Sequence, residues 1–307
     1  MKIGCAVGCF TFPHYNPPYE EAIIKIGKLG FEGLELIAYL PGDLETYYTK
    51  ERNRNLKDLY ESYGMELSEF ILYASLVEGL ASRDKKEKEK AYDVFKRGIE
   101  VALELGTNII NIVSNWPNEL IAPIAYPPAY FYPYVPGIDR FEPKHKMVLP
   151  PNFDANGLWE SYIESLTHVT NLAEEAGVYL ALEGHANVIV GTTDAMLRAF
   201  DRIDNQHFGT NFDVAWQFLQ REYIPWSIYK LRGRIFHVHA RDGDGLVCYA
   251  LPPGMGVIDW HVVIRALKEI GYTGFISLEL GGLSQPERYV REAKTYLVRV
   301  MEEEGVR

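Results

Sequence analysis

The sequence predicts an α/β fold: one closed (β/α)8 barrel with a long connection after its fourth strand. Three observations point there. Short β-rich runs alternate with longer amphipathic stretches eight times in 307 residues. Glycine ends several of the helical stretches just before the next strand, and ionisable residues end the last four strands. Parallel strands joined by right-handed helical crossovers place every helix outside, and eight such units close on themselves.

The strand candidates are IGCAVG (3–8), GLELIA (33–38), MELSEF (65–70), NIINIV (108–113), VYLALE (178–183), FGTNFD (208–213), IFHVHA (235–240) and FISLEL (275–280). These are short runs with apolar residues, several of them carrying β-branched or aromatic side chains, between turn formers. Amphipathic periodicity predicts helices over 18–29, 86–105, 157–176, 194–203, 259–269 and 286–303, with weaker patterns over 50–63 and 226–231. Gly30, Gly106, Gly177 and Gly271 follow four of these helices, where a left-handed residue stops the helix. KLGFEGLEL (28–36) and EIGYTGFISLEL (269–280) echo each other as helix stop, turn and strand ending in Glu. A doubly wound open sheet is the alternative, but GCAVGCFTF after the first strand lacks the G-x-G-x-x-G phosphate turn that such a sheet uses.

Residues 114–156 break the rhythm. They hold nine of the 17 prolines together with many Tyr, Phe and Trp residues. A connection of this length is usually functional, and within a single domain spanning 1–307 it reads as a stiff aromatic lid over the mouth, or as a dimer contact.

With 47% hydrophobic and 24% charged residues the chain has a full core and is neither disordered nor fibrous. Its net charge of −11 argues against nucleic acid as a partner, because such affinity comes from phosphate neutralisation. Cys5, Cys9 and Cys248 form no disulfide or zinc-knuckle spacing, which fits a reducing compartment. The first residues carry no cleavage signal and no long apolar span, so a cytoplasmic protein without membrane association is expected.

Catalytic groups of such barrels sit at the C-terminal ends of the strands. There, strand five offers Glu183, strand six Asp213, strand seven His239 and strand eight Glu279. The preceding Leu182, Phe212, Val238 and Leu278 are apolar, so alternation turns them to the helices and the polar set to the axis. Three carboxylates meeting there without a counter-charge would cost several kcal/mol per unpaired ion. A divalent cation removes that cost. Oxygen-rich ligation with one imidazole and no thiolate suits Mn2+ best, with Mg2+ or Co2+ as alternatives, in six-fold coordination that leaves room for substrate oxygens.

The strand-end motifs LEGHA (182–186), NFDVAW (211–216), FHVHARDGDG (236–245) and SLEL (277–280) resemble the xylose isomerase-like TIM-barrel superfamily, over nearly the whole chain. That superfamily contains sugar isomerases and epimerases, inosose dehydratase and endonuclease IV. The resemblance implies that Glu183, Asp213, His239 and Glu279 bind one catalytic divalent metal. The H-x-x-D form adds Asp242 as the loop companion of His239, and the resemblance puts Arg241 and Asp242 on the substrate side. The endonuclease branch draws extra histidines from strands three and four, where this chain offers Ser68 and Asn111. The ketose 3-epimerases have a His three residues after the metal-bound Asp, where this chain has Trp216, and their substrate-gripping Arg has no obvious match.

Further candidates flank the quartet. His185, two residues past Glu183, suits an acid or base beside the metal, or a partner for a sugar hydroxyl. His237 lies one layer deeper and reads more readily as a support for a ligand than as a substrate contact. His14, after strand one, can reach a substrate, and Trp116 and Trp216 can stack on a sugar ring or serve as packing. His145, His168, His207 and His261 read as ordinary loop or surface residues.

The expected function is a metal-dependent isomerase or epimerase of a sugar or sugar derivative, with Glu183 or Glu279 removing a proton beside a carbonyl and the metal stabilising the enediolate. The lid, Glu183-Gly184-His185 and Trp216 also resemble the larger subunit of C-glycoside deglycosidases. That alternative implies a lyase acting on 3-oxo glycosides with a small accessory subunit, and a non-catalytic carbohydrate-binding barrel is a third. The acids of RDGDG (241–245) oppose an anion at the phosphate position of barrels, so a neutral sugar is expected, bound by a monomer or a homo-oligomer.

Overall fold

The computed structural model describes residues 1–12, 15–117, 120, 149–245 and 251–307. Eight parallel strands close into a barrel in sequential order: β1 (Lys2–Ala6), β2 (Gly33–Ala38), β3 (Glu66–Leu72), β4 (Ile109–Val113), β5 (Tyr179–Glu183), β6 (Phe208–Asp213), β7 (Ile235–Ala240) and β8 (Phe275–Leu278). The expected strands are all present. The first stops earlier than its composition suggests, because Gly8–Thr11 turns into a short helix.

The helices Glu20–Lys28, Lys50–Glu61, Lys85–Leu105, Ala155–Glu175, Thr193–Arg202, Ile224–Lys230, Trp260–Glu269 and Pro286–Glu303 form the outer ring. Leu182, Phe212, Val238 and Leu278 are at most 1% exposed and belong to the apolar core, as alternation requires. Gly30, Gly106, Gly177 and Gly271 all have positive φ, between 70° and 91°, so these helices stop where a Cβ would be strained. Asp84, Asp154, Thr192 and Asp259 cap helix N-termini through their side chains.

One irregularity matters for the site. β2 and β3 pair Leu34 with Leu67 but Glu35 with Glu69, so Ser68 is the extra residue of a bulge. The Ser68 hydroxyl donates to the Leu34 carbonyl at 2.9 Å, and Glu69 takes the inward position. Strand three therefore offers a carboxylate to the axis, not the Ser68 that the sequence suggested.

β4 ends at Val113 and the next described helix begins at Ala155. Most of the lid-like stretch 114–156, with His145, lies outside the described residues, as do His14 and Cys248. Among the described residues, no helix is long and apolar enough to cross a membrane.

Candidate metal centre and active site

The ends of β5, β6 and β7 and the residue after β8 bring Glu183, Asp213, His239 and Glu279 together, with one ligand atom from each lying within 4.8 Å of all the others. His239 Nδ1 stands 3.1 Å from Glu279 Oε2, 3.3 Å from Glu183 Oε1 and 3.9 Å from Asp213 Oδ2. Glu183, Asp213 and His239 are almost sealed, whereas the Glu279 side chain is 22% exposed and forms the mouth side of the cluster.

Asp213 and Glu183 are each fixed by hydrogen bonds that leave an oxygen facing the cluster. Asp213 caps the short helix Val214–Leu219, its Oδ1 accepting from Ala215 N at 2.9 Å and Trp216 N at 3.0 Å. That leaves Oδ2 for the site. Glu183 Oε2 accepts from Asn111 Nδ2 at 3.4 Å, and Oε1 faces His185 Nε2 at 2.9 Å. Burial alone would raise the Glu183 carboxyl, but the positive charges of His239 and His185 outweigh it and hold the group well below its ordinary value. Burial works against charge on His239 too, yet Glu279, Glu35 and Glu183 raise it well above an ordinary imidazole.

Arg241 supplies a fit test for a cation. Its Nη2 contacts Asp213 Oδ2, lies 3.1 Å from Glu279 Oε2 and 3.7 Å from Glu183 Oε1, the same three oxygens that face His239 Nδ1. A positive group thus already sits at the focus of the carboxylates. Three oxygens and one imidazole nitrogen form a donor set suited to Mn2+, Mg2+ or Co2+.

The aromatic candidates gather around His185. Its ring stacks on Trp216 with centroids 4.5 Å apart, and Trp116 meets it edge-on at 6.2 Å. Trp216 is 2% exposed and holds the imidazole from behind, an arrangement that leaves its ring little face for a sugar.

Asp242, placed on the substrate side by its motif, is fully buried and organises its own loop. Its Oδ1 accepts from Gly243 N and Ile258 N, and its Oδ2 accepts from Gly254 N and Trp260 Nε1, at 2.9–3.1 Å. No lone pair is left for a sugar. His237 is likewise sealed, with Nε2 2.7 Å from Glu35 Oε1.

Sequence reasoning missed Glu35 and Glu69, both fully buried under the mouth quartet. For Glu35 a signal existed: the echo between 28–36 and 269–280 aligns it with Glu279. It also missed Tyr15, whose hydroxyl is raised by burial and by the neighbouring Glu279 charge; its ring lies 5.6 Å from Tyr39, which packs on Tyr73 at 4.5 Å.

Fold and site together define a (β/α)8 barrel with a buried acidic cluster at the C-terminal ends of its strands that could hold a metal ion. The chain belongs to the xylose isomerase-like TIM barrel family, whose pattern matches residues 23–300. It is 23% identical over 296 residues to fructoselysine 3-epimerase of Shigella flexneri, covering 93% of this chain and 94% of that protein. It is 22% identical over 299 residues to inosose dehydratase of Geobacillus thermodenitrificans, covering 91% and 88%. The structure of D-psicose 3-epimerase with D-tagatose from Clostridium cellulolyticum H10 superposes with a TM-score of 0.76 at 20% identity, over 98% of this chain and 99% of that one, which shows the shared fold.

Proposed function

We propose that this protein is a divalent-metal-dependent isomerase or epimerase of a neutral sugar or sugar derivative, acting in the cytoplasm. The observation that carries the reading is the convergence of Glu183, Asp213, His239 and Glu279, with the Arg241 guanidinium on the same three oxygens. The four residues would hold the cation, most suitably Mn2+, which when bound polarises the substrate carbonyl and neutralises charge developing on its oxygen.

The protein's own groups move the proton. Glu279, at the open side of the cluster, takes the proton from the carbon beside the carbonyl, and the C–H electron pair flows to the carbonyl oxygen to give an enediolate. Glu183, hydrogen-bonded to His185, faces that carbon from three strands away and returns a proton there, giving the epimer, or at the neighbouring carbon, giving the isomer. Arg241 grips a substrate oxygen once it leaves the carboxylates, and Trp216 and Trp116 keep His185 in place. Tyr15, Tyr39 and Tyr73 offer ring edges and faces to the sugar.

The aromatic setting of His185 favours a second reading. With a leaving group β to the carbonyl, the same proton removal expels it, and His185 protonates the departing atom; a 3-oxo glycoside with an aromatic aglycone is such a substrate, and the enzyme is then a lyase. Incubation in D2O with Mn2+ and a panel of ketoses and 3-oxo glycosides tests both. Deuterium entering a recovered ketose supports the epimerase, and release of aglycone supports the lyase. Neither event with any member of the panel contradicts the proposal.

A further inference from the structure

Beneath the mouth quartet, Glu35, Glu69 and His237 form a second quartet with the same His239, all four fully buried. The two ring nitrogens of His239 divide between the layers. Nδ1 faces the three mouth carboxylates, and Nε2 lies 3.1 Å from Glu69 Oε1 and 3.3 Å from Glu35 Oε2. Glu35 in turn bonds His237 at 2.7 Å, and the Asn211 amide donates to Glu69 Oε1 at 3.0 Å.

The lower layer invites comparison with a second cation site, since Glu35 Oε2 and Glu69 Oε2 accept no hydrogen bond from the described residues. Chemistry decides against it. A ring nitrogen that carries a proton cannot ligate, so a dication in each layer would need His239 to lose its ring proton entirely. With Nδ1 given to the mouth, the single N–H of neutral His239 belongs on Nε2, where a carboxylate waits to accept it. Such a partner fixes the tautomer and ring orientation and strengthens the ligand nitrogen.

We propose that Glu69 is a positioning residue of the metal centre: its carboxylate holds the Nε2–H of His239 so that Nδ1 presents its lone pair to the space between Glu183, Asp213 and Glu279. Glu35, tied to His237, and the Asn211 amide steady that carboxylate layer. The inference rests on the metal reading of the mouth quartet.

Titration of full-length protein with Co2+, read by visible absorbance and by chelator competition, tests it. Glu69→Gln is expected to bind Co2+ roughly 10- to 100-fold more weakly than wild type, with a shifted Co2+ spectrum, while the heat melting of the metal-free protein stays close to wild type. Glu69→Asp keeps the charge but shortens its reach, and is expected to fall between the two; it also serves if Glu69→Gln does not fold. If wild type binds Co2+ and folded variants bind within about twofold of it, this inference is overturned while the metal reading stands. Lowered melting with unchanged affinity and spectrum overturns it as well. If wild type binds no Co2+, the metal reading itself fails and this inference fails with it.

Discussion

Arg241 and His239 address the same three oxygens. Nδ1 of the imidazole and Nη2 of the guanidinium both approach Glu183 Oε1, Asp213 Oδ2 and Glu279 Oε2, from two residues of one strand end. The guanidinium therefore stands where a dication would be shared, and the Arg241 side chain, 8% exposed, is part of the buried charge balance. A dication held there would exchange one positive charge for two, and Arg241 would have to leave the three oxygens to admit it.

Arg241→Met follows from that exchange. Without the competing cation, affinity for Mn2+ should rise by about tenfold, equivalent to about 1.4 kcal/mol, and calorimetric titration checks it. The metal-free variant should melt at a lower temperature, since three buried carboxylates lose a counter-charge. Unchanged affinity would mean that Arg241 does not occupy the cation's place.

Glu279→Gln removes the proposed base at the open side of the cluster. Turnover and solvent deuterium uptake should fall by about 10²- to 10⁴-fold, the usual worth of a positioned base, while the fold survives because the side chain is partly exposed. Retention of deuterium exchange in this variant would move the base to Glu183.

Glu35 makes the metal-free protein acid-sensitive. Burial would raise its carboxyl, but the charges of His239 and His237 outweigh it and bring it down to about 2. A folded-state value below the unfolded one, about 4.3, means the contribution is present above about pH 4.3 and is lost as pH falls toward about 2. Urea denaturation across that window should show stability climbing with pH, and Glu35→Gln should flatten the climb. An equally steep slope in the variant would contradict the assignment.

Asp242→Ala should act on stability and leave the metal centre alone. Four N–H donors lose their acceptor, and a loss of about 2–4 kcal/mol is expected in chemical denaturation. Mn2+ affinity of the folded variant should remain near wild type. A selective loss of affinity would return Asp242 to the site.

The barrel was legible because alternation and helix stops are local properties: Gly30 and Gly106 mark helix ends from sequence alone, and their positive φ agrees. The mouth quartet was legible for a related reason. Leu182, Phe212, Val238 and Leu278 fix which way each strand faces, so the next residue must face the axis. Glu69 was not legible, because the bulge at Ser68 shifts the inward phase of β3 by one residue, and nothing in MELSEF marks that shift. The Asp242 reading rested on its closeness to His239 in the motif, and spacing does not show that the loop which consumes its carboxylate returns from as far as Trp260. The placement of Arg241 depends on how a long side chain folds back among charges, which spacing does not encode.

Anomalous scattering from a crystal grown with Mn2+ is the decisive measurement. One strong manganese peak per chain is expected, with oxygens of Glu183, Asp213 and Glu279 and Nδ1 of His239 all within about 2.4 Å of it. A peak held by other residues, or the four side chains standing apart with no manganese among them, would contradict it.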